Sequence, residues 1–180
     1  MALVVFLRGV NVGGHKTFRP SAVAKQLRQY DVVNVGAAGT FVIRKPPNQT
    51  QLRAELRKRL PFETEVMICA GRDLIGFASR DPFGDESIQS DVVRFVSVLA
   101  KRPRLLPSLP ISVPNDGAWL VRILATRNRL LFGMYRRHMK TISYLSRIDK
   151  LIGVPVTTRN WNTFTAILKV LGSGRRTVLT

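Results

Sequence analysis

The chain is 180 residues long, and its 29 Lys/Arg against 11 Asp/Glu give a formal net charge of +18. A hydrophobic fraction of 45% with 22% charged residues excludes wholesale disorder, and no apolar stretch approaches the roughly 18 residues needed to span a bilayer. The single cysteine, Cys69, excludes an intramolecular disulfide framework and any multi-cysteine zinc site.

The elements follow in chain order. Leu3 to Leu7 is a continuous apolar run, the pattern of a strand buried on both sides. The segment Arg8 to Lys16 is a glycine-rich loop. A helix is predicted from Pro20-Ser21, with Val23, Leu27 and Tyr30 on one face. Asp31 to Val35 and Thr40 to Arg44 read as two strands joined across Gly36-Ala37-Ala38-Gly39. Leu52, Leu56 and Leu60 form a helical stripe that Pro61 ends, and Glu55 with Arg59 is a favourable i,i+4 pair. Glu65 to Ala70 is the next strand. The order β-α-β-β-α-β puts helices on one face of a mainly antiparallel sheet, a ferredoxin-like α+β subdomain over residues 1–80.

Residues 81–172 read as a second α+β subdomain. Asp91 to Ala100 is rich in β-branched residues and is predicted as a strand. Four prolines within 101–117 (Pro103, Pro107, Pro110, Pro114) make most of that segment an irregular connector. Trp119 to Ala125 and Leu130 to Tyr135 form a hairpin around Arg127-Asn128. One helix follows, with Thr141 as its cap, Ile142, Leu145, Ile148 and Ile152 on its inner face, and Gly153 and Pro155 as its stop. A short strand near Val154 to Thr157 leads into a last helix carrying Phe164, Leu168 and Leu171 and ending at Gly172. Residues 173–180 are expected to be a flexible basic tail.

Two stretches carry candidate chemistry. In the loop, glycines directly after a buried strand let backbone N–H groups turn toward an anion, and neighbouring cations neutralise it. The candidate anion-binding residues there are Arg8, Gly9, Asn11, Gly13, Gly14 and Lys16. The glycine spacing is neither that of a Walker loop nor that of a dinucleotide fingerprint, and a turn chosen for its backbone geometry reads equally from these residues. The second stretch is Thr157-Thr158-Arg159-Asn160-Trp161-Asn162-Thr163, where a strand breaks into a helix. Arg159, Asn160, Asn162 and Thr163 could cradle an anion there, or Asn160 or Thr158 could simply cap the helix over a Trp161 anchor.

The Leu7-Arg8-Gly9-Val10-Asn11-Val12-Gly13-Gly14 opening together with Thr157 to Thr163 resembles a bacterial family known only as domain of unknown function 1697. The resemblance brackets about residues 3–171 and implies an α+β fold of two subdomains, the first ferredoxin-like. It implies no activity, ligand or catalytic residue. Where that family tends to have Ser-Gly-Asn between its second and third strands, this chain has Ala38-Gly39-Thr40, which removes part of any contact those polar groups make.

Charge divides unevenly. Residues 1–91 carry thirteen Lys/Arg and nine Asp/Glu, a net of +4, while residues 92–180 carry sixteen and two, a net of +14. Such a field concentrates polyanions, although the 21 arginines against 8 lysines are also what GC-rich codon usage produces. The leading expectation is a cytoplasmic anion-binding module in which both stretches converge on one cleft, with nucleic acid or a phosphorylated small molecule as partner. No membrane partner, cofactor or metal is implied, and oligomeric state is not encoded in any pattern found. The alternatives are an enzyme acting on a small anionic substrate and a protein–protein module docking through Arg104 to Pro110. The enzyme reading lacks an evident general base: His15 and His138 are far apart in sequence without clustered carboxylates, no nucleophile–base pair can be read from spacing, and Cys69 sits in an apolar strand. Two weaker features are the acidic group Asp81, Asp85, Glu86 and Asp91, and the run Arg136 to Lys140.

Overall fold

Strand β1 (Leu3–Leu7) is buried at all five positions because it runs between two neighbours, β3 (Thr40–Ile43) and β4 (Val66–Ala70), both antiparallel to it. The computed structural model describes residues 1–78, 81–84 and 89–173, and the chain divides into two units. The first comprises residues 1–76 with the chain from Thr165, and the second is Phe77–Phe164. Each holds an antiparallel sheet, so the fold is mixed α/β with two antiparallel sheets and several helices.

The first sheet has the order β2-β3-β1-β4, with β2 at Val32–Asn34. Helix α1 (Pro20–Gln26) begins on a proline whose missing N–H costs nothing in the first turn, and it passes at Leu27 into a 3-10 turn, Arg28–Tyr30. Helix α2 (Gln49–Arg59) is capped by Asn48, whose side chain accepts a hydrogen bond from Gln51 N at 2.8 Å. The expected Glu55–Arg59 ion pair is present at 2.6 Å. Leu27, Leu52, Leu56 and Leu60 pack with Leu3, Val5, Phe41 and Ile68 in one core, each buried leucine contributing roughly 2 kcal/mol. A third helix, α3 (Gly71–Ala78), follows β4 without a loop and is not among the elements expected from the sequence.

The second sheet has the order β6-β7-β8-β5-β9, all antiparallel. Its strands are β5 (Val92–Leu99), β6 (Ile111–Val113), β7 (Val121–Arg127), β8 (Leu130–Arg136) and β9 (Val156–Asn160). The proline segment thus contributes a three-residue edge strand, flanked by the prolines that an edge tolerates. One sheet face carries Phe95, Leu99, Val121, Ile123 and Leu131 against Ile148, Ile152 and Val154.

Several expectations need correction. The helix from Thr141 to Ile152 is two short helices, α4 (Thr141–Leu145) and α5 (Ile148–Ile152). The hydroxyls of Ser143 and Ser146 donate to the carbonyls of Lys140 and Ser143, a local competition that shortens helices, and Ile142 faces solvent at 75% exposure. Thr141 is not a cap; it is buried and its hydroxyl donates to Arg136 O at 2.7 Å. The last strand runs to Asn160, because pairing with Phe95–Leu99 extends it through the Thr-Thr-Arg-Asn stretch. In α6 (Trp161–Ser173) the buried positions are Phe164, Ile167 and Leu171, while Leu168 is half-buried. The expected tail beyond Ser173, and Asp85 and Glu86 of the acidic group, lie outside the described residues.

Candidate functional site

The loop after β1 is a miniature hairpin. Asn11 N donates to Lys16 O at 3.2 Å and His15 N to Val12 O at 3.0 Å, leaving Gly13 and Gly14 as a two-residue turn. Both glycines have positive φ (57° and 75°), the requirement of a type I′ turn, which explains the Gly-Gly pair without any ligand. Gly9, Asn11 and Lys16 are also left-handed, so five of nine residues hold this conformation. Side chains brace it. Asn11 Oδ1 accepts from Phe18 N at 2.9 Å and its Nδ2 donates to Ala37 O at 2.7 Å. Lys16 Nζ donates to Glu63 O at 2.7 Å, and Arg8 pairs with the Glu65 carboxylate at 3.0 Å. The Thr64 hydroxyl closes the set by donating to Arg8 O. His15 and the tip glycines are exposed.

In the second unit, Asn160 is the helix cap expected of it: its Oδ1 accepts from Thr163 N at 2.8 Å. Thr158 instead meets Ser97, hydroxyl to hydroxyl, at 2.6 Å. Trp161 stacks on Phe164 with ring centroids 5.3 Å apart and lies edge-on to Phe83 at 4.9 Å, the anchoring role read from sequence. Asn162 is exposed on the first turn. Arg159 is buried at 7% exposure and donates to Thr157 Oγ1 and Thr158 O, both at 2.9 Å. Burial pushes its guanidinium down to about 10, which leaves it a cation at neutral pH.

Register then gathers three further arginines that the sequence analysis did not assemble. Directly paired residues in an antiparallel sheet share a face. Arg94 on β5 and Arg122 on β7 both oppose Met134 on β8, and Arg136 lies two residues further along β8 on the same side. Arg159 belongs to this face as well, because it opposes Val96, two residues from Arg94. The four residues are distant in sequence; strand alternation (Val92-Val93-Arg94-Phe95-Val96, Met134-Tyr135-Arg136) was the signal that could have found them. Trp119 holds two of these cations on its ring: the guanidinium of Arg136 lies 4.6 Å and that of Arg122 5.9 Å from its centroid. Arg94 lies 4.7 Å over Phe83.

Among the described residues, Asp91 is a carboxylate paired with one of these cations. Arg136 donates to Asp91 Oδ2 at 2.8 Å and to Gln89 Oε1 at 2.9 Å. The hydrogen bond from Arg136 lowers the Asp91 pKa, so Asp91 is an anion and a poor proton acceptor. A guanidinium stacked on a ring spends its face and keeps its in-plane N–H edge for bidentate contact with phosphate or carboxylate. Among the described residues no group of three His, Cys, Asp or Glu could hold a metal, and Asp81 is occupied in a turn, accepting from Phe83 N at 3.0 Å. No helix of the described residues is long and apolar enough to cross a membrane. In the proline segment Leu105 is 87% exposed, while residues 111–113 are tied into the sheet as β6.

The two-sheet α/β architecture and the braced loop define a class of protein before they define an activity. The chain belongs to the family described as Protein of unknown function (DUF1697), whose model matches residues 1–109. A conserved bacterial protein from Streptococcus pneumoniae shares the fold, with a TM-score of 0.61 over 94% of this chain and 98% of its own, at 15% identity. No curated protein matches the chain.

Proposed function

We propose that this protein is an anion-binding module whose seat is the arginine face of the second unit. The observation that carries the reading is the convergence of Arg94, Arg122, Arg136 and Arg159 on one side of one sheet, where Asp91 pairs with Arg136. Four cations on one sheet face repel one another, and an oligoanion at that face offsets the repulsion. The ligand class is accordingly nucleic acid or a phosphorylated metabolite. Of the residues read from sequence, Arg159 is placed in this seat and Asn160 and Thr163 at the helix start beside it. Arg8, Asn11 and Lys16, whose polar atoms hold Glu65, Phe18 N, Ala37 O and Glu63 O, are assigned to bracing the loop. The β-α-β-β-α-β order and the β2-β3-β1-β4 sheet support reading the first unit as ferredoxin-like, with a boundary near residue 80.

Calorimetric titration with inorganic pyrophosphate tests the seat. Arg94→Gln and Arg122→Gln should each weaken binding about tenfold or more, the size of a lost charge-assisted hydrogen bond. Asp91→Asn should tighten it, because the competing internal anion is gone. Equal affinities for the wild type and both arginine variants would remove the proposal.

A further inference from the structure

We infer that the helical face of the first unit is a separate binding surface for the phosphate backbone of a nucleic acid. It stands on the first unit alone and does not need the arginine seat. The inner faces of α1 and α2 are spent on the core through Val23, Leu27, Leu52 and Leu56. Their outer faces leave a groove lined by Lys25, Gln26, Arg28 and Gln29 from α1 and its 3-10 turn, and by Lys58 and Arg59 from the end of α2. Lys25, Arg28 and Lys58 are exposed and form no ion pair among the described residues.

The charge is concentrated here although the half-chain average conceals it. Residues 19–30 and 48–60 hold seven Lys/Arg (Arg19, Lys25, Arg28, Arg53, Arg57, Lys58, Arg59) and one acid, Glu55. That acid is taken by Arg59 at 2.6 Å, and the next nearest in sequence, Asp31, faces Arg44 at 3.8 Å. The fold tolerates this in part because Lys25, Arg57, Lys58 and Arg59 sit in the last turns of α1 and α2, where the negative end of each helix dipole offsets some of their repulsion.

The lining also says how a ligand would be read. Lysines and an arginine at one groove act as point charges and forks for phosphate oxygens, and the two glutamines between them can donate to phosphate or sugar. No aromatic ring lines the groove, so bases have no stacking platform. Recognition is therefore of backbone, tolerant of sequence and steep in salt.

The experiment is fluorescence anisotropy of the full chain with 20-residue oligonucleotides as duplex DNA, single-stranded DNA and RNA, between about 50 and 200 mM salt, the range over which phosphate contacts are lost. The triple variant Lys25→Gln, Arg28→Gln, Lys58→Gln should bind at least tenfold more weakly at the low end. Its log–log salt slope should be shallower by about 2 to 3, since each phosphate contact contributes about 0.7 for single strands and 0.9 for duplex. The charge-conserving triple Lys25→Arg, Arg28→Lys, Lys58→Arg should keep the wild-type slope, which separates charge loss from damage to the fold. Wild-type protein that binds none of the three oligonucleotides, or a neutralised triple with wild-type affinity and slope, overturns the inference. So does binding to phosphatidylserine vesicles with none to any oligonucleotide. Pyrophosphate titration of the neutralised triple should be unchanged, so failure at the groove and failure at the arginine seat give different patterns.

Discussion

A methyl group added at Gly39 would lie 2.8 Å from Val10 Cγ2 and 2.9 Å from Leu7 Cβ, at a residue whose φ is +67°. The turn between β2 and β3 is therefore pressed against the end of β1, and Leu7 N donates to Gly39 O at 2.9 Å across that contact. Gly39→Ala should cost about 2–4 kcal/mol, the sum of overpacking and left-handed strain. Gly14→Ala, with φ at +75° and no atom within 4 Å of the added carbon, should cost only about 1 kcal/mol. Urea denaturation of both measures the difference, and equal losses would mean that close packing at Gly39 contributes nothing. The sequence marks Gly39 as a turn residue; its contact with Leu7 and Val10 is a tertiary fact that local pattern cannot carry. Asn11 has the same character. Its spacing in the loop suggested an amide for a ligand, and the amide is spent on Phe18 N and Ala37 O instead.

A clear apolar stripe or run was legible, elements set by distant partners were not, and α3 was missed although its residues are amphipathic at helical spacing. The leucine stripe of α2 and the five apolar residues of β1 decide their own structure, because each fills a core layer by itself. The break between α4 and α5 and the length of β9 depend on serine back-bonding and on pairing with β5. Neither leaves an apolar period to read. The clip between β5 and β8 is of this second kind: Asp91, just before β5, meets Arg136 at the end of β8 at 2.8 Å, and Val92 opposes Arg136 in register. The folded-state pKa of Asp91 lies below its unfolded value, so the stability it supplies is present above about pH 4, the unfolded carboxylate range. It is lost as pH falls through the folded pKa. Wild-type protein should therefore lose more stability than Asp91→Asn on acidification below about pH 4, measured by denaturant titration at each pH. Parallel acid limbs for the two proteins would show that the clip contributes no pH-dependent stability.

At the scale of the molecule, a net charge of +18 on 180 residues opposes compaction, and counterions relieve it. The sequence reading placed this excess in the second half, where the arginine seat lies. The +4 average of the first half hid the α1–α2 groove, because eight of its nine acids (Asp31, Glu63, Glu65, Asp73, Asp81, Asp85, Glu86 and Asp91) lie outside residues 19–30 and 48–60. General screening and site binding differ in a measurable way. Sodium chloride weakens self-repulsion at every cation alike and should raise the melting temperature modestly between about 10 and 200 mM, as the Debye length falls from roughly 30 to 8 Å. An anion that occupies a site on the folded chain adds RT ln(1 + [L]/Kd), about 2.7 kcal/mol at a hundredfold excess over Kd. For a chain of this size each kcal/mol moves the melting temperature by about 2–4 °C. Pyrophosphate at a few millimolar, matched in ionic strength with sodium chloride, should accordingly raise melting by several degrees more than the chloride control. The combined Arg94→Gln, Arg122→Gln variant should lose that extra rise while keeping the chloride response. If pyrophosphate and chloride act alike on the wild type, the charge of this protein behaves as a diffuse field, and the four arginines of the second sheet do not form an anion seat.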